Sequence, residues 1–248
     1  MKKLLMLLTV MGVLLFACKK NADLPASAVA SLSFVNATIG SAPLATRFND
    51  QTIIFSSLSA ANKINYGASN LFSPIAGTNS ISFIQATDTT HSLFAGTLNL
   101  QTNGVYSLYL TGTTAQPDTL FFQEQLPVYK VTDSVAGIRF VNLSPGSTPV
   151  SVNIKGQTNG SEVSSLSYKG RTAFKAYQAD HNIASYIFEF RNASSGALLA
   201  TYTLSGVNNS TGTNTVANTV RFHNLTIALI GQPAGGTVAQ SAMLIPNY

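Results

Sequence analysis

The sequence predicts an all-β protein, two tandem antiparallel β-sandwich domains of immunoglobulin-like or related topology behind a cleaved signal peptide. Three observations carry that expectation. Short runs rich in Thr, Val, Ile, Tyr and Phe recur between Gly, Pro, Asn and Ser, as half-buried pleated surfaces bounded by turns require. No segment after the leader sustains an apolar period of 3.6 residues, which is the signature of an amphipathic helix. Finally, the chain is written twice. Residues 33–52 align without gaps on 139–158, with eight identities in twenty positions at an offset of 106. Phe34-Val35-Asn36 answers Phe140-Val141-Asn142, Gly40-Ser41 answers Gly146-Ser147, Pro43 answers Pro149 and Gln51-Thr52 answers Gln157-Thr158.

Within the first copy, strands are expected near 30–36, 44–48, 52–55, 62–66, 80–86, 92–100, 104–111 and 119–125. Alternation supports them: Leu44, Thr46 and Phe48 fall on one face, as do Val150, Val152 and Ile154 in the second copy, because successive side chains of a strand point to opposite faces. Tyr66-Gly67 has a counterpart near Tyr168 and Gly170, and Thr97-Leu98 falls on Thr203-Leu204. Tyr106, Leu108, Leu110 and Gly112 then match Leu225, Ile227, Leu229 and Gly231 at an offset of 119, so about 13 residues are inserted around 208–220. That insert is rich in Asn, Ser, Thr and Gly and belongs in a surface loop. Both copies turn at Gln-Pro before a last strand, Gln116-Pro117 and Gln232-Pro233. The expected organisation is a signal peptide at 1–17, a tether at 18–26, domains at 27–131 and 136–248, and a linker at 132–135. Each domain is large enough for its own core.

The leader opens with Lys2-Lys3 and continues with an apolar stretch from Leu4 to Phe16 that Lys19 and Lys20 close. It is shorter than the roughly 20 residues needed to span a bilayer and fits the apolar region of a secretory signal. Leu15-Phe16-Ala17-Cys18 resembles a bacterial lipobox, with Phe16 in place of the usual small residue. That resemblance implies lipidation of Cys18, the only cysteine, and a protein tethered to the outer membrane by its N-terminal acyl chains. The basic Lys19-Lys20 follow the cysteine and the first acid is Asp23, which leaves the periplasmic and surface faces both open.

The run Ile138-Arg139-Phe140-Val141-Asn142-Leu143-Ser144-Pro145-Gly146, then Pro149-Val150-Ser151-Val152 and Leu166-Ser167-Tyr168, resembles the start of the domain-of-unknown-function family numbered 4397. In the first copy Ala37-Thr38-Ile39 replaces Leu143-Ser144-Pro145. Tandem copies behind a lipobox resemble a Bacteroidetes-type lipoprotein. The resemblance implies an extracytoplasmic β domain and carries no activity.

Chemistry is thinly supplied. Three histidines, nine carboxylates and one cysteine are scattered, with none of the tight ligand spacing a zinc site uses and no Gly-x-Ser-x-Gly elbow. The expectation is therefore no enzyme, no metal and no cofactor. The net charge of +5 falls to +3 once Lys2 and Lys3 leave with the signal, too little for the clustered phosphate contacts of nucleic-acid binding. Residues 136–248 carry seven basic and three acidic side chains, against three and four in 27–131. Lys169, Arg171 and Lys175 are the densest basic group, and Tyr168 beside them is a candidate exposed aromatic, as are Tyr66 and Tyr177. Read functionally, Tyr168, Lys169, Arg171 and Lys175 form a patch for an acidic glycan or lipid head group; read structurally, they are a solvated strand edge. Asp88-Thr89-Thr90, Asp118-Thr119-Leu120 and Asp133-Ser134-Val135 resemble a bacterial Asp-Ser/Thr-apolar O-glycosylation signal, which implies Thr89, Thr119 and Ser134 as acceptors. The function expected is a lipid-anchored, non-catalytic envelope module, structural or binding a glycan or another envelope protein. The alternative is an adhesin or fimbria-like subunit that assembles by strand exchange.

Overall fold

The structure is a computed structural model that describes residues 28–49, 63–209 and 218–247. The leader with Cys18, the expected strand at 52–55, the Gln51-Thr52 match and most of the second-copy insert lie outside the described residues. The fold is all-β, as the sequence predicts. Seven strands form the first half: β1 Ser31–Asn36, β2 Leu44–Phe48, β3 Ala68–Phe72, β4 Gly77–Gln85, β5 Asp88–Leu100, β6 Val105–Gly112 and β7 Pro117–Gln123. Eight form the second: β8 Val135–Asn142, β9 Val150–Ile154, β10 Val163–Leu166, β11 Lys175–Gln178, β12 Ser185–Asn192, β13 Leu198–Ser205, β14 Asn224–Ile230 and β15 Ser241–Asn247.

No described sheet mixes the halves. The first half pairs an inner sheet, β3-β1-β6-β7, with an outer sheet, β2-β4-β5; the second pairs β11-β8-β14-β15 with β10-β9-β12-β13. The duplication seen in sequence is thus a duplication of topology. The outer sheets are purely antiparallel but the inner sheets are mixed, because β1 runs parallel to β6, and β8 to β14. In each half the first strand lies between a strand reached across the sandwich and the penultimate strand, which arrives in the same direction. One expected strand is corrected. Of the expected strand 62–66, the described residues 63–66 make a single bridge at Ile64, and the strand begins at Ala68 after a turn in which Gly67 takes φ +74°.

Alternation places the cores. Leu32 and Phe34 of β1, Ile81 and Phe83 of β4, and Leu108 and Leu110 of β6 fill the first sandwich, where Phe34 stacks on Phe83 at 3.9 Å. Phe140 of β8, Val150 and Val152 of β9, Phe188 and Phe190 of β12, and Ile227 and Leu229 of β14 fill the second. Burying one such side chain contributes roughly 1.5–3 kcal/mol. The inner strands are also buried on their other face: every residue of β8 and β14 is buried, and so is all but the first residue of β1 and of β6. A third apolar cluster covers that face, formed by Val35, Ala37 and Tyr109 from one half and Val141, Leu143, Ala228, Ile230, Met243 and Ile245 from the other. The two inner sheets therefore pack against each other, giving four layers in the order outer, inner, inner, outer.

Candidate functional site at the domain junction

The faces that meet at the junction are equivalent surfaces of the two copies. Val35 and Val141 occupy the same place in the repeat, as do Ala37 and Leu143, and all four lie in the shared cluster. The contact is thus two-fold in layout, as in a dimer, but side chains at equivalent positions differ, Tyr109 standing where the second copy has Ala228. Where the first copy has Ser33, the second has Arg139, and the guanidinium is 1 % exposed.

Arg139 is met from several sides. Its Nη1 donates to Glu124 Oε2 at 2.6 Å, its Nη2 donates to Glu124 Oε1 and to the Tyr109 hydroxyl, and its Nε donates to Thr226 Oγ1 at 2.8 Å. Ser107 donates to the same carboxylate, and the Thr226 hydroxyl donates in turn to Asn247 Oδ1. Phe122 and Phe174 lie 5.1 and 4.5 Å from the guanidinium carbon. Burial pushes the Tyr109 phenol upward, and the Arg139 cation beside it only partly offsets this. Burial works against the charge on Arg139, but the Glu124 bonds prevail and raise its pKa. Glu124 follows β7 in the first half while Arg139 sits in β8, so a bidentate, desolvated ion pair bolts the halves together. The sequence reading missed this group. Its one signal is an arginine in the apolar strand Ile138-Arg139-Phe140-Val141, in a phase that would be solvent-facing in a lone sandwich.

Beside the pair opens a cleft of about 370 Å³, lined by Gln123, Gln125, Arg171, Thr172 and Phe174 as well as the ion pair. Arg171 is exposed and lies flat against Phe122, its guanidinium carbon 4.0 Å from the ring centre. Such a packed guanidinium is held ready for a carboxylate or phosphate. The other members of the expected patch are engaged elsewhere. Lys169 pairs with Asp118 of β7 at 2.9 Å, and the half-buried Tyr168 donates to the same carboxylate at 3.2 Å. Burial pushes Tyr168 up to about 12. Lys175 pairs with Glu162 at 2.8 Å and lies over the Tyr177 ring. Tyr177 is not an exposed turn residue: it sits in β11, is 6 % exposed and packs into the second core with its hydroxyl on Glu162. The structure thus disperses the four residues, two into a bridge between domains, one onto the cleft wall and one onto the second domain's own surface.

The remaining candidates sit apart. Thr119 is half-buried in β7 next to Asp118, Ser134 precedes β8 with φ +45°, and Thr89 lies in β5. Bonds from Thr90 and His91 hold the neighbouring Asp88 carboxyl well below the usual range. His91, His181 and His223 are exposed. Among the described residues no three or more His, Cys, Asp or Glu gather as metal ligands, and no helix is long and apolar enough to cross a membrane.

No match is found among curated proteins. A family model does match: the domain of unknown function DUF4397 aligns with residues 30–153, half of the chain. The match runs through the whole first sandwich into β8 and β9, and so ends on the motif quoted above, Ile138 to Val152. One copy is detected, where the repeat predicts two, and it starts in the first copy, where Ala37-Thr38-Ile39 replaces Leu143-Ser144-Pro145. On this match the chain belongs to the DUF4397 family.

Proposed function

We propose that the chain is a lipid-anchored, non-catalytic protein of a bacterial outer membrane, and that its two sandwiches act as one rigid structural or ligand-binding module. In this reading the second half is a diverged copy of the family domain, and the protein is of the Bacteroidetes lipoprotein type. The observation that supports it best is the buried junction: apolar residues 0–7 % exposed on both inner sheets, closed by the Arg139–Glu124 pair. A tether on Cys18 would then present a single body rather than two beads. Strand exchange is less well supported, because in each half the first strand already fills the place between its two neighbours within the chain.

Two measurements test the reading. Metabolic labelling with a fatty acid analogue should mark the wild-type protein, and Cys18→Ala should abolish the label; label surviving on the variant would contradict the anchor. Sizing of the chain from residue 24, which retains every described element, should give a monomer. A ladder of stable oligomers would favour the fimbria-like alternative instead.

A further inference from the structure

The second sandwich carries a polar cup on its outer sheet, the one that does not meet the junction. Ser151 and Asn153 of β9 and Glu189 of β12 point away from the core, yet they are 2, 2 and 7 % exposed. A strand face turned to solvent is ordinarily wet; here the loop 155–162 and the hairpin 193–197 rise beside it and leave a recess of about 370 Å³. The loop is pinned by Ser151, whose hydroxyl donates to Asn159 at 2.8 Å, and the hairpin by Arg191, whose Nη1 donates to the Gly196 carbonyl at 2.9 Å.

The fold does not require this group. The register that sets Asn153 opposite Glu189 and Ser151 opposite Arg191 sets Arg47 opposite Ser82 and Ala45 opposite Ile84 in the first copy. The carboxylate, the guanidinium partner and the amide are therefore present in one copy only, on the same scaffold.

The cup also has unused hydrogen-bonding capacity. Glu189 Oε2 accepts from Asn153 Nδ2 and twice from Arg191, while Oε1 accepts from no described residue. Asn153 Oδ1 is buried and no described residue donates to it. Leaving such an atom unmatched is unfavourable, and it becomes useful where a ligand supplies the donor. On the donor side, the guanidinium has five N–H groups and three are engaged; Asn159 offers its amide N–H groups. Acceptors and donors thus alternate around a recess whose carboxylate and guanidinium cancel in charge. An anion would face Glu189 and a cation would face Arg191. A vicinal diol fits both, since each hydroxyl gives one hydrogen bond and accepts others.

We infer that this cup, built on Asn153, Asn159, Glu189 and Arg191, is a binding site for adjacent hydroxyls of a neutral sugar. The inference deepens the ligand-binding half of the proposed function and rests on no lipid anchor, so the labelling result above can fail without touching it.

The test is an amide chemical-shift titration of the chain from residue 24 with glucose, galactose and mannose, and with glucuronate as the charged arm. Saturable shifts are expected at the side-chain amides of Asn153 and Asn159 and at the backbone of Gly156 and Gly196, for at least one neutral sugar, in the millimolar range usual for so small a ligand. Glu189→Gln should weaken that binding roughly tenfold, the size of one charge-assisted hydrogen bond. Gln157→Ala, at the rim, leaves the ion pair intact and should weaken it by a smaller factor, which keeps the test decisive if the first variant folds poorly. No saturable shift at these amides with any neutral sugar, or tighter binding of glucuronate there, would overturn the inference.

Discussion

At the scale of single residues, the stability of the junction turns on charge burial. Arg139 and Glu124 are desolvated together, and a buried pair of this kind is worth little against an apolar replacement but much against half of itself. Arg139→Ala is expected to cost about 3–5 kcal/mol in urea unfolding, because it strands the Glu124 carboxylate between Ser107 and Phe122. The double variant Arg139→Met with Glu124→Leu should recover most of that loss. A cost for the double variant equal to the single one would show that the pair itself, not the stranding, carries the energy. Two carboxylates of the second sandwich contribute acid sensitivity. The amide of Asn153 and the Arg191 cation hold Glu189 below its ordinary value of 4.5. Burial alone would raise Glu162, but bonds from Lys175 and Tyr177 bring it below the same value. For both, the unfolded chain binds protons more readily than the folded one. Their stabilisation is therefore complete above 4.5 and declines as pH falls toward the depressed native values. Unfolding free energy measured from about pH 6 to pH 3 should fall with pH, and Glu189→Gln should make that fall shallower; an unchanged slope would remove Glu189 from the account.

At the scale of elements, the repeat is written most clearly where the first strand of each copy ends. Asn36 bonds the Ile64 carbonyl and Ser41 and receives the Thr38 amide; Asn142 does the same with Leu166, Ser147 and Ser144. The turn residue that donates to this asparagine's carbonyl is Gly67 in one copy and Lys169 in the other, with φ +74° and +61°. Asn142→Ala should cost about 1–3 kcal/mol, the penalty for leaving the buried Ser144 amide and Leu166 carbonyl unmatched, and Asn36→Ala should cost a similar amount. A loss at only one of the two would break the equivalence. The strand at 44–48 was legible to the residue because its flanks are turn-forming and its alternation is uninterrupted. The stretch 62–66 was not, since Lys63, Ile64 and Tyr66 alternate like a strand while Gly67 bends the backbone immediately after.

At the scale of the whole molecule, the sequence carried the sandwiches but not their docking. Period-two patterns tell which residues face a core, yet the second face of β1, β6, β8 and β14 reads as a mixture of Ser, Thr, Gly, Ala and Val with single Tyr, Arg, Asn and Ile residues, which suits water or a neighbouring sheet equally well. The same ambiguity hid the site. Lys169 and Tyr168 looked like an exposed patch because their partner, Asp118, lies 51 and 50 residues away in the other sandwich. Glu124 stands in no motif, and Arg139 enters the quoted run only as a charged residue among apolar ones. Docked inner sheets make one body out of two domains, and that is the claim on which the proposed module depends. The chain from residue 24 has no cysteine, so spin labels can be placed at will. With labels at Thr97→Cys on β5 and Thr201→Cys on β13, both exposed, the distance distribution between the outer sheets should be a single narrow peak. A broad or multi-peaked distribution in the otherwise unaltered chain would show two sandwiches moving independently and would contradict the account.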